Sequence, residues 1–272
     1  MKTALTIAGS DCSGGAGIQA DLKTFSAHGV YGMSVITSVV AENTARVITY
    51  QDIEPEIIRD QMRAVFEDIR PDAVKVGMLS NPTTMETVAS GLEEWKPAAI
   101  VLDPVMVAKN GSSLMEDEAV RTLIDRVLPL ASVLTPNIPE AERIAGGSIE
   151  SLDEMKEAAR TINAGCHAAV LVKGGHAIGD AIDVLYDGDE FHYYSVPRIR
   201  TTNTHGTGCT LSSAIASWMA LGFPLDQAVG RAKTYVTGAI EHALPLGHGH
   251  GPTNHFHRFF PEAGTRSQEA RQ

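Results

Sequence analysis

The stretch AVKVGMLSNPTTMETVASGLEEWKPAAIVL, residues 73–102, contains the repeating unit of the fold. It begins with a short apolar run at Ala73–Val76, continues as an amphipathic segment over Pro82–Leu92, and returns to an apolar run at Ala99–Leu102. Apolar runs separated by a helix-length segment are typical of parallel strands joined by a helix. The stretch therefore predicts an α/β fold.

The same alternation extends along the rest of the chain. Further strands and helices are predicted at Leu5–Ala8, Ser34–Val40, Ser132–Leu134 and Ala169–Val172, and at Gly17–Ala27, Pro55–Phe66, Glu116–Val127, Leu152–Asn163, Thr210–Ala220 and Leu225–Ala243. The runs Ile182–Tyr186 and Glu190–Ser195 flank Asp187-Gly188-Asp189 as in a β-hairpin. We expect a mostly parallel central sheet covered by helices on both faces, one domain over 1–257, and a frayed tail over 258–272.

Composition excludes several functional classes. The 272 residues include 22 Lys+Arg and 33 Asp+Glu, a formal net charge of −11 at pH 7, which argues against a general nucleic-acid binder. The three cysteines form no CxxC pair and no zinc spacing. The N-terminus lacks a signal-peptide pattern, and no stretch approaches the roughly 18 to 20 apolar residues of a membrane helix. We expect a cytoplasmic protein that does not bind membranes.

The segment GHGHGPTNHFH, residues 247–257, is rich in histidine. Histidines two residues apart in a glycine-rich segment are a weak ligand pattern, so a flexible loop near the site is favoured over structural zinc.

The segment Asn203-Thr204-His205-Gly206-Thr207-Gly208-Cys209 leads directly into an apolar helical run. Gly206 and Gly208 let the backbone approach an anion, and the first N–H groups of the helix point outwards with its dipole. This arrangement predicts an anion hole for a transferring phosphoryl group. Cys209 lies in the first turn, where a helix N-terminus lowers the pKa of a thiol; a plain turn with a buried inert cysteine is the alternative.

Polar residues also follow three predicted strands. Asn137 and Glu140 are three apart at a helix start, where they could hold the waters of Mg²⁺ or form a capping box. Asp103 and Lys173 each end a strand, at the edge where open α/β sheets bind ligands; the alternative is a surface charge. The chain has neither GxxxxGK[ST] nor GxGxxG, so a differently built phosphate site is expected.

These residues identify a resemblance to the ribokinase-like superfamily, and within it to the hydroxymethylpyrimidine/phosphomethylpyrimidine kinases of thiamine biosynthesis. The resemblance extends from Ala4 to about His257 and rests on ALTIAGSD, GGAGIQADLKTF, KVGML, LDPVMVAK, TPNIPEAE, VKGGH, NTHGTGCT and GHGHGPTNHF. It implies a three-layer α/β/α sandwich that transfers the γ-phosphate of ATP to a hydroxymethyl group on a heteroaromatic ring. A homodimer is usual in this family.

The resemblance also implies roles for individual residues. Gly206, Thr207, Gly208 and Cys209 would form the anion hole, with Cys209 as base or as a group that orients the hydroxyl. Asn137 and Glu140 match the magnesium motif NxxE, Asp103 would organise the metal and the phosphates, and Lys173 would contact the nucleotide phosphates. The acceptor pocket would be formed by Ala8, Gly9, Asp21, Glu42, Met78 and Val105. Asp21 could instead be a structural cap or buried hydrogen-bonding group, and Met78 and Val105 plain core residues.

Glu42 departs from the family pattern, because pyrimidine kinases commonly carry glutamine at this place in AxNT. An ionised glutamate can accept from the 4-amino group but cannot donate to the ring nitrogen, so both bonds require a proton on the glutamate or on the ring. A pyridine ring would suit an ionised Glu42 equally well. A pyridoxal/pyridoxine kinase is therefore the alternative function, and a non-catalytic nucleotide-binding regulator is a third.

Overall fold

The computed structural model describes residues 1–106, 116–174 and 181–260. The helices and strands follow in the order β1 (Thr3–Asp11), α1 (Gly17–Ala27), β2 (Tyr31–Glu42), β3 (Val47–Asp52), α2 (Pro55–Asp68), β4 (Ala73–Val76), α3 (Pro82–Trp95), β5 (Ile100–Leu102), α4 (Asp117–Thr122), β6 (Val133–Leu134), α5 (Ile138–Ala145), α6 (Leu152–Cys166), β7 (Ala169–Val172), β8 (Ala181–Tyr186), β9 (Phe191–Val196), α7 (Thr207–Ala220) and α8 (Leu225–Glu241). After α4 the chain continues as a π-helical turn over Leu123–Val127 and a 3₁₀ turn over Leu128–Leu130.

The strands of the described residues form one nine-stranded sheet in the order β3-β2-β1-β4-β5-β6-β7-β8-β9. The six strands from β2 to β7 are parallel to their neighbours in this order, whereas β3 at one edge and β8 and β9 at the other are antiparallel. The predicted parallel sheet and the predicted hairpin, paired as Tyr186 with Phe191, are confirmed. The antiparallel strand β3 was not predicted.

Two apolar cores lie on opposite faces of this sheet. Side chains of alternate strand positions, such as Leu5 and Val74, pack with helices α2 to α6 on one face. The intervening positions, such as Ala4, pack with α1, α7 and α8 on the other, around Phe25 and Tyr235. Since successive strand side chains point to opposite faces, this is the α/β/α sandwich that the sequence predicts.

The C-terminal boundary of the domain, at residue 257, stays a prediction. Of the predicted tail, 258–260 are described and 261–272 lie outside the described residues. None of the helices within 1–106, 116–174 and 181–260 is long and apolar enough to cross a lipid bilayer.

Candidate active site

A cleft of about 1100 Å³ runs along the carboxyl ends of the parallel strands. Its walls come from the ends of β1, β2, β4, β5 and β7 and from the N-terminus of α7. This is where ligands bind in open α/β sheets. The volume exceeds that of a single small-molecule pocket, so the cleft has room for two ligands side by side.

The N-terminus of α7 faces this cleft. Gly206 caps the helix with φ +77, a conformation that favours glycine, and a methyl group there would overlap the carbonyl oxygen of Gly15. Thr207 uses its hydroxyl and its backbone N–H on the carbonyl of Thr204. The first-turn N–H groups of Gly208 and Cys209 have no partner within the helix. These backbone donors and the helix dipole lie at the cleft, and their role as an anion hole stays a prediction.

The sulfur of Cys209 is half-buried beneath this helix start. Burial raises the pKa of the Cys209 thiol to about 11, although the ammonium of Lys75 and the N–H of Gly17 oppose that rise. The sequence-based expectation of a lowered pKa is therefore wrong, because desolvation outweighs the groups that favour the thiolate. At neutral pH Cys209 is a thiol that can donate a hydrogen bond, not a thiolate.

Asp103 and Lys173 form an ion pair with 2.8 Å between Oδ1 and Nζ. The Thr135 hydroxyl donates to the same carboxylate oxygen at 3.0 Å. Burial works to raise the pKa of Asp103, but Lys173 and then Lys75 hold it below its ordinary value, so the carboxylate is ionised. A methyl group on Gly208 would lie 3.2 Å from Oδ2 of Asp103 and 3.5 Å from Nζ of Lys173. The ion pair and the anion hole therefore face each other across a gap of atomic size.

Asn137 and Glu140 form a complete capping box at the start of α5. The Asn137 side chain accepts from the N–H of Glu140 at 2.9 Å, and the Glu140 carboxylate accepts from the N–H of Asn137 at 2.8 Å. The backbone of Asn137 also forms an isolated parallel bridge with Lys173, the residue after β7, which brings the box beside the ion pair. Burial raises the pKa of Glu140 to about 7. The capping alternative is confirmed as geometry, and it fixes both side chains at the edge of the cleft.

These groups fit a hydrated magnesium ion. Two carboxylates and an amide oxygen, from Asp103, Glu140 and Asn137, line one region of the cleft. Hard oxygen donors are what Mg²⁺ takes, and it retains much of its water when it binds beside phosphates. The lowered pKa of Asp103 keeps this carboxylate ionised, and the ion would share its charge with Lys173.

Most of the residues expected to form the acceptor pocket lie in the cleft, at or just after the ends of β1, β2, β4 and β5. Five of the six residues expected there line it: Ala8, Gly9, Glu42, Met78 and Val105. A methyl group on Gly9 would lie 2.7 Å from Oγ of Ser38 and 2.8 Å from Cε of Met78, so a larger residue there would displace both side chains. These five residues are called the acceptor wall below, after the role expected of them, and Glu42 is the one ionisable side chain among them.

The sixth residue, Asp21, does not line the cleft. It is fully buried beneath it, and its carboxylate is saturated by Thr6, Ser213 and Lys75 at 2.6, 2.6 and 2.8 Å. The structural alternative therefore describes Asp21, and the expectation of direct substrate binding is wrong. Its partner Lys75, which the sequence reasoning missed, reaches the floor of the cleft.

A second cluster that the sequence reasoning missed contains Asp11, His205 and Glu42. Nε2 of His205 lies 2.8 Å from Oδ2 of Asp11, and an acceptor atom of each of the three residues lies within 4.8 Å of the others. Burial first, and then the Asp11 charge, raises the pKa of Glu42 to about 7. Asp11 and His205 are separated by 194 positions in the chain, so no local pattern could reveal the pair.

The histidine-rich segment is packed against the protein beside the cleft. Thr253, Asn254 and His255 are almost fully buried. The backbone N–H of Gly249 donates to the Thr44 hydroxyl at 3.1 Å, and the backbone N–H of His250 donates to the Thr44 carbonyl at 2.9 Å. Among the described residues, no group of metal-binding geometry includes histidines of this segment. Thr44 and His250 both line the cleft.

Fold and site together define a phosphoryl-transfer enzyme of the ribokinase-like type. A family model described as phosphomethylpyrimidine kinase matches residues 11–254. The chain therefore belongs to the phosphomethylpyrimidine kinase family.

The curated relatives agree with this assignment. The chain is 51% identical over 92% of its length to a thiamine biosynthesis bifunctional protein of Geobacter sulfurreducens, of which it spans 51%. It is 50% identical over 95% of its length to a hydroxymethylpyrimidine/phosphomethylpyrimidine kinase of Rhizobium meliloti, of which it spans 98%.

Two solved structures share the fold closely. A phosphomethylpyrimidine kinase from Clostridium difficile matches with a TM-score of 0.80 and 48% identity, over 88% of this chain and 100% of that one. An ADP complex of Bacillus subtilis pyridoxal kinase matches with a TM-score of 0.87 and 39% identity, over 94% of this chain and 97% of that one. The backbone is thus similar to that of both kinases, whereas the sequence identity is higher to the phosphomethylpyrimidine kinase than to the pyridoxal kinase.

Proposed function

We propose that this chain is an ATP-dependent kinase that phosphorylates the hydroxymethyl group of 4-amino-5-hydroxymethyl-2-methylpyrimidine and then the resulting monophosphate, as in thiamine biosynthesis. The observation that carries the proposal is the position of the α7 N-terminus, which lies opposite Asp103 and Lys173 and in the same cleft as the acceptor wall. The curated relatives named for this activity support it.

The phosphate end of the cleft acts by position and charge. The substrate oxygen attacks the γ-phosphorus of ATP, the bond to the β-phosphate oxygen breaks, and ADP leaves. Negative charge on the transferring group is stabilised by the N–H groups of Gly208 and Cys209, by the helix dipole, and by Lys173. Gly206 and Thr207 hold the turn that aims those donors.

Cys209 orients the attacking hydroxyl in this scheme. Its pKa of about 11 makes it a poor base at neutral pH. A loose transition state needs little base assistance, since the hydroxyl loses its proton late. The proton of the hydroxyl passes to solvent or to the phosphate, and the thiol keeps the oxygen in line.

Asn137, Glu140 and Asp103 would hold the hydrated magnesium ion that accompanies ATP. When bound, Mg²⁺ neutralises charge on the nucleotide phosphates. The capping box keeps the first two side chains fixed before the nucleotide arrives. Pre-organised ligands lose little conformational freedom on binding.

A pyridoxal/pyridoxine kinase is the second candidate. The observation that favours it is Glu42, because an ionised carboxylate pairs with a protonated pyridine nitrogen or a phenolic hydroxyl. The fold similarity to Bacillus subtilis pyridoxal kinase supports it too. The lower sequence identity to that enzyme, 39% against 48% for the pyrimidine kinase structure, ranks it second.

We further propose a cytoplasmic homodimer, because ATP is available there and because the edge of the sheet at β3 exposes apolar side chains. Ile48 and Tyr50 are 63% and 59% exposed, and Val39 on β2 is 49% exposed. Light scattering of the full chain should give twice the monomer mass, and Ile48→Glu should halve it. A monomer mass for the unsubstituted chain would contradict the dimer.

The test of the activity is ATP turnover with Mg²⁺ and with the aminopyrimidine alcohol and pyridoxal offered in parallel. We expect a higher kcat/KM for the pyrimidine. The variant Gly208→Ala, purified in the same way, controls for a contaminating kinase. A higher kcat/KM for pyridoxal would select the second candidate, and no turnover on either would contradict both.

A further inference from the structure

The cluster of Asp11, His205 and Glu42 includes the ionisable residue of the acceptor wall. All three residues line the cleft, and they come from the end of β1, from the segment before α7 and from the end of β2. The role proposed for Glu42 above, contact with the acceptor ring, uses one member of the cluster. Asp11 and His205 have no part in that role so far.

Asp11 is a fixed anion. Its side chain is almost fully buried and accepts from the N–H groups of Ser13, Gly15 and Ala16 at 2.7, 3.1 and 2.7 Å. Burial works to raise the pKa of Asp11, but the hydrogen bonds from His205, Ser13 and Ala16 hold it far below its ordinary value. The carboxylate is thus ionised across the whole working range of pH.

His205 keeps this anion in place from the other side. Its ring packs directly against Gly15, where any side chain would overlap it. Nε2, the ring atom that faces the cluster, is hydrogen-bonded to Asp11. Because Nε2 is already hydrogen-bonded, the cluster is a hydrogen-bonded Asp11–His205 pair beside the Glu42 carboxyl group and not a metal site.

Glu42 faces this pair from β2. The groups around it are the Asp11 carboxylate, the His205 imidazole, and the Cys12 thiol, which donates to the Glu42 carbonyl at 3.1 Å. Arg46 and His250 line the same cleft. Burial of Glu42 and repulsion from the fixed, buried Asp11 carboxylate within 4.8 Å both hinder its ionisation, and together they outweigh the opposite effect of the His205 imidazole.

We propose that Asp11 and His205 are positioning residues for acceptor recognition: they fix an anion beside Glu42, so that Glu42 meets the acceptor ring as a neutral carboxylic acid. This inference rests on the proposed function, since it deepens the recognition of the aminopyrimidine.

A neutral carboxylic acid can form both hydrogen bonds that a 4-aminopyrimidine ring requires. The ring presents an acceptor nitrogen next to an amino donor, so the protein must donate at one point and accept at the next. A protonated carboxyl does both through its hydroxyl and its carbonyl oxygen, whereas an ionised carboxylate only accepts. Beside this cluster, the protonated Glu42 can donate and accept as the amide of a glutamine side chain does.

The direct test reads the protonation of Glu42 without substrate. A ¹³C NMR titration of the full chain labelled at glutamate Cδ, with the Glu42 signal assigned by its loss in Glu42→Gln, should give a midpoint near pH 7. Asp11→Asn keeps an acceptor oxygen for the loop but removes the charge, and should move the midpoint down, while the part of the raised pKa that is due to burial remains. A midpoint near 4.5 in the unsubstituted chain would overturn the proposal. So would an unchanged midpoint in a folded Asp11→Asn variant.

A second test needs no change at Asp11. In the unsubstituted chain, kcat/KM for the aminopyrimidine should fall about tenfold per pH unit above pH 7, as Glu42 loses its proton. In Glu42→Gln, whose amide always donates and accepts, that alkaline fall should disappear. The same fall in both proteins would overturn the proposal. Since the NMR titration uses no substrate, failure of the kinase activity and failure of this inference are separate results.

Discussion

Gly208 offers a sharp test of where phosphoryl transfer takes place. It is the second residue of α7, and a methyl group at this position would lie 3.2 Å from Oδ2 of Asp103 and 3.5 Å from Nζ of Lys173. The distance to Lys173 is ordinary van der Waals contact, whereas the distance to Asp103 requires that carboxylate to shift by a few tenths of an ångström in Gly208→Ala. The methyl group then fills the gap between the helix N–H groups and the ion pair, where the proposal places the transferring group.

Gly208→Ala is expected to lower activity strongly and to leave stability almost unchanged. Removing one donor from such a hole lowers kcat by about 10²–10³-fold, and a methyl group that blocks two donors should do at least as much. Stability should change little, because the helix propensity of alanine, favourable by up to about 1 kcal/mol relative to glycine, opposes the cost of shifting the Asp103 carboxylate.

The assay combines steady-state turnover with thermal unfolding. Gly165→Ala is the matched control: it also replaces a glycine near the end of a helix, α6, and nothing lies within 4 Å of the added methyl group. We expect Gly165→Ala to retain full activity. A kcat within about threefold of the unsubstituted chain for Gly208→Ala would refute this placement of the site.

Two further predictions concern the floor of the cleft. Because the pKa of Cys209 is raised to about 11, its thiol is neutral at pH 7. Its rate of alkylation by iodoacetamide should therefore rise about tenfold per pH unit up to pH 10, with the exposed Cys12 as an internal reference. An alkylation rate that levels off below pH 8 would contradict this. Lys75→Met leaves the buried Asp21 carboxylate without its cation, so it should lower the free energy of unfolding, measured in urea, by about 3–5 kcal/mol. Adding Asp21→Asn should recover part of that loss. A loss below about 1 kcal/mol for Lys75→Met would show that the pair is not desolvated.

Much of the fold could be predicted because burial leaves a simple pattern in the sequence. The parallel strands are covered on both faces, so they appear as continuous apolar runs. Strand β3 has no such pattern, since five of its six residues are exposed, and it was missed. Lys75 was missed for the opposite reason: it lies inside an apolar strand, and a charged residue there is a signal of a buried partner that could have been noticed.

The site was predictable where its chemistry is local in the chain. The turn at Gly206–Cys209 and the Asn137–Glu140 spacing both describe a single helix start, which sequence can encode. The Asp11–His205 pair and the enclosure of Asp21 depend on contacts between distant segments, which a single sequence does not reveal. The Cys209 pKa was mispredicted because the dipole is visible in sequence and desolvation is not.

The most direct test of the proposed activity is ³¹P NMR of ATP, Mg²⁺ and the aminopyrimidine alcohol incubated with the full chain. We expect the γ-phosphate of ATP to appear first in a phosphomonoester and then in a diphosphate ester, with no excess of inorganic phosphate. Transfer of the γ-phosphate only to water, or to pyridoxal in preference to the pyrimidine when both are present, would contradict the account.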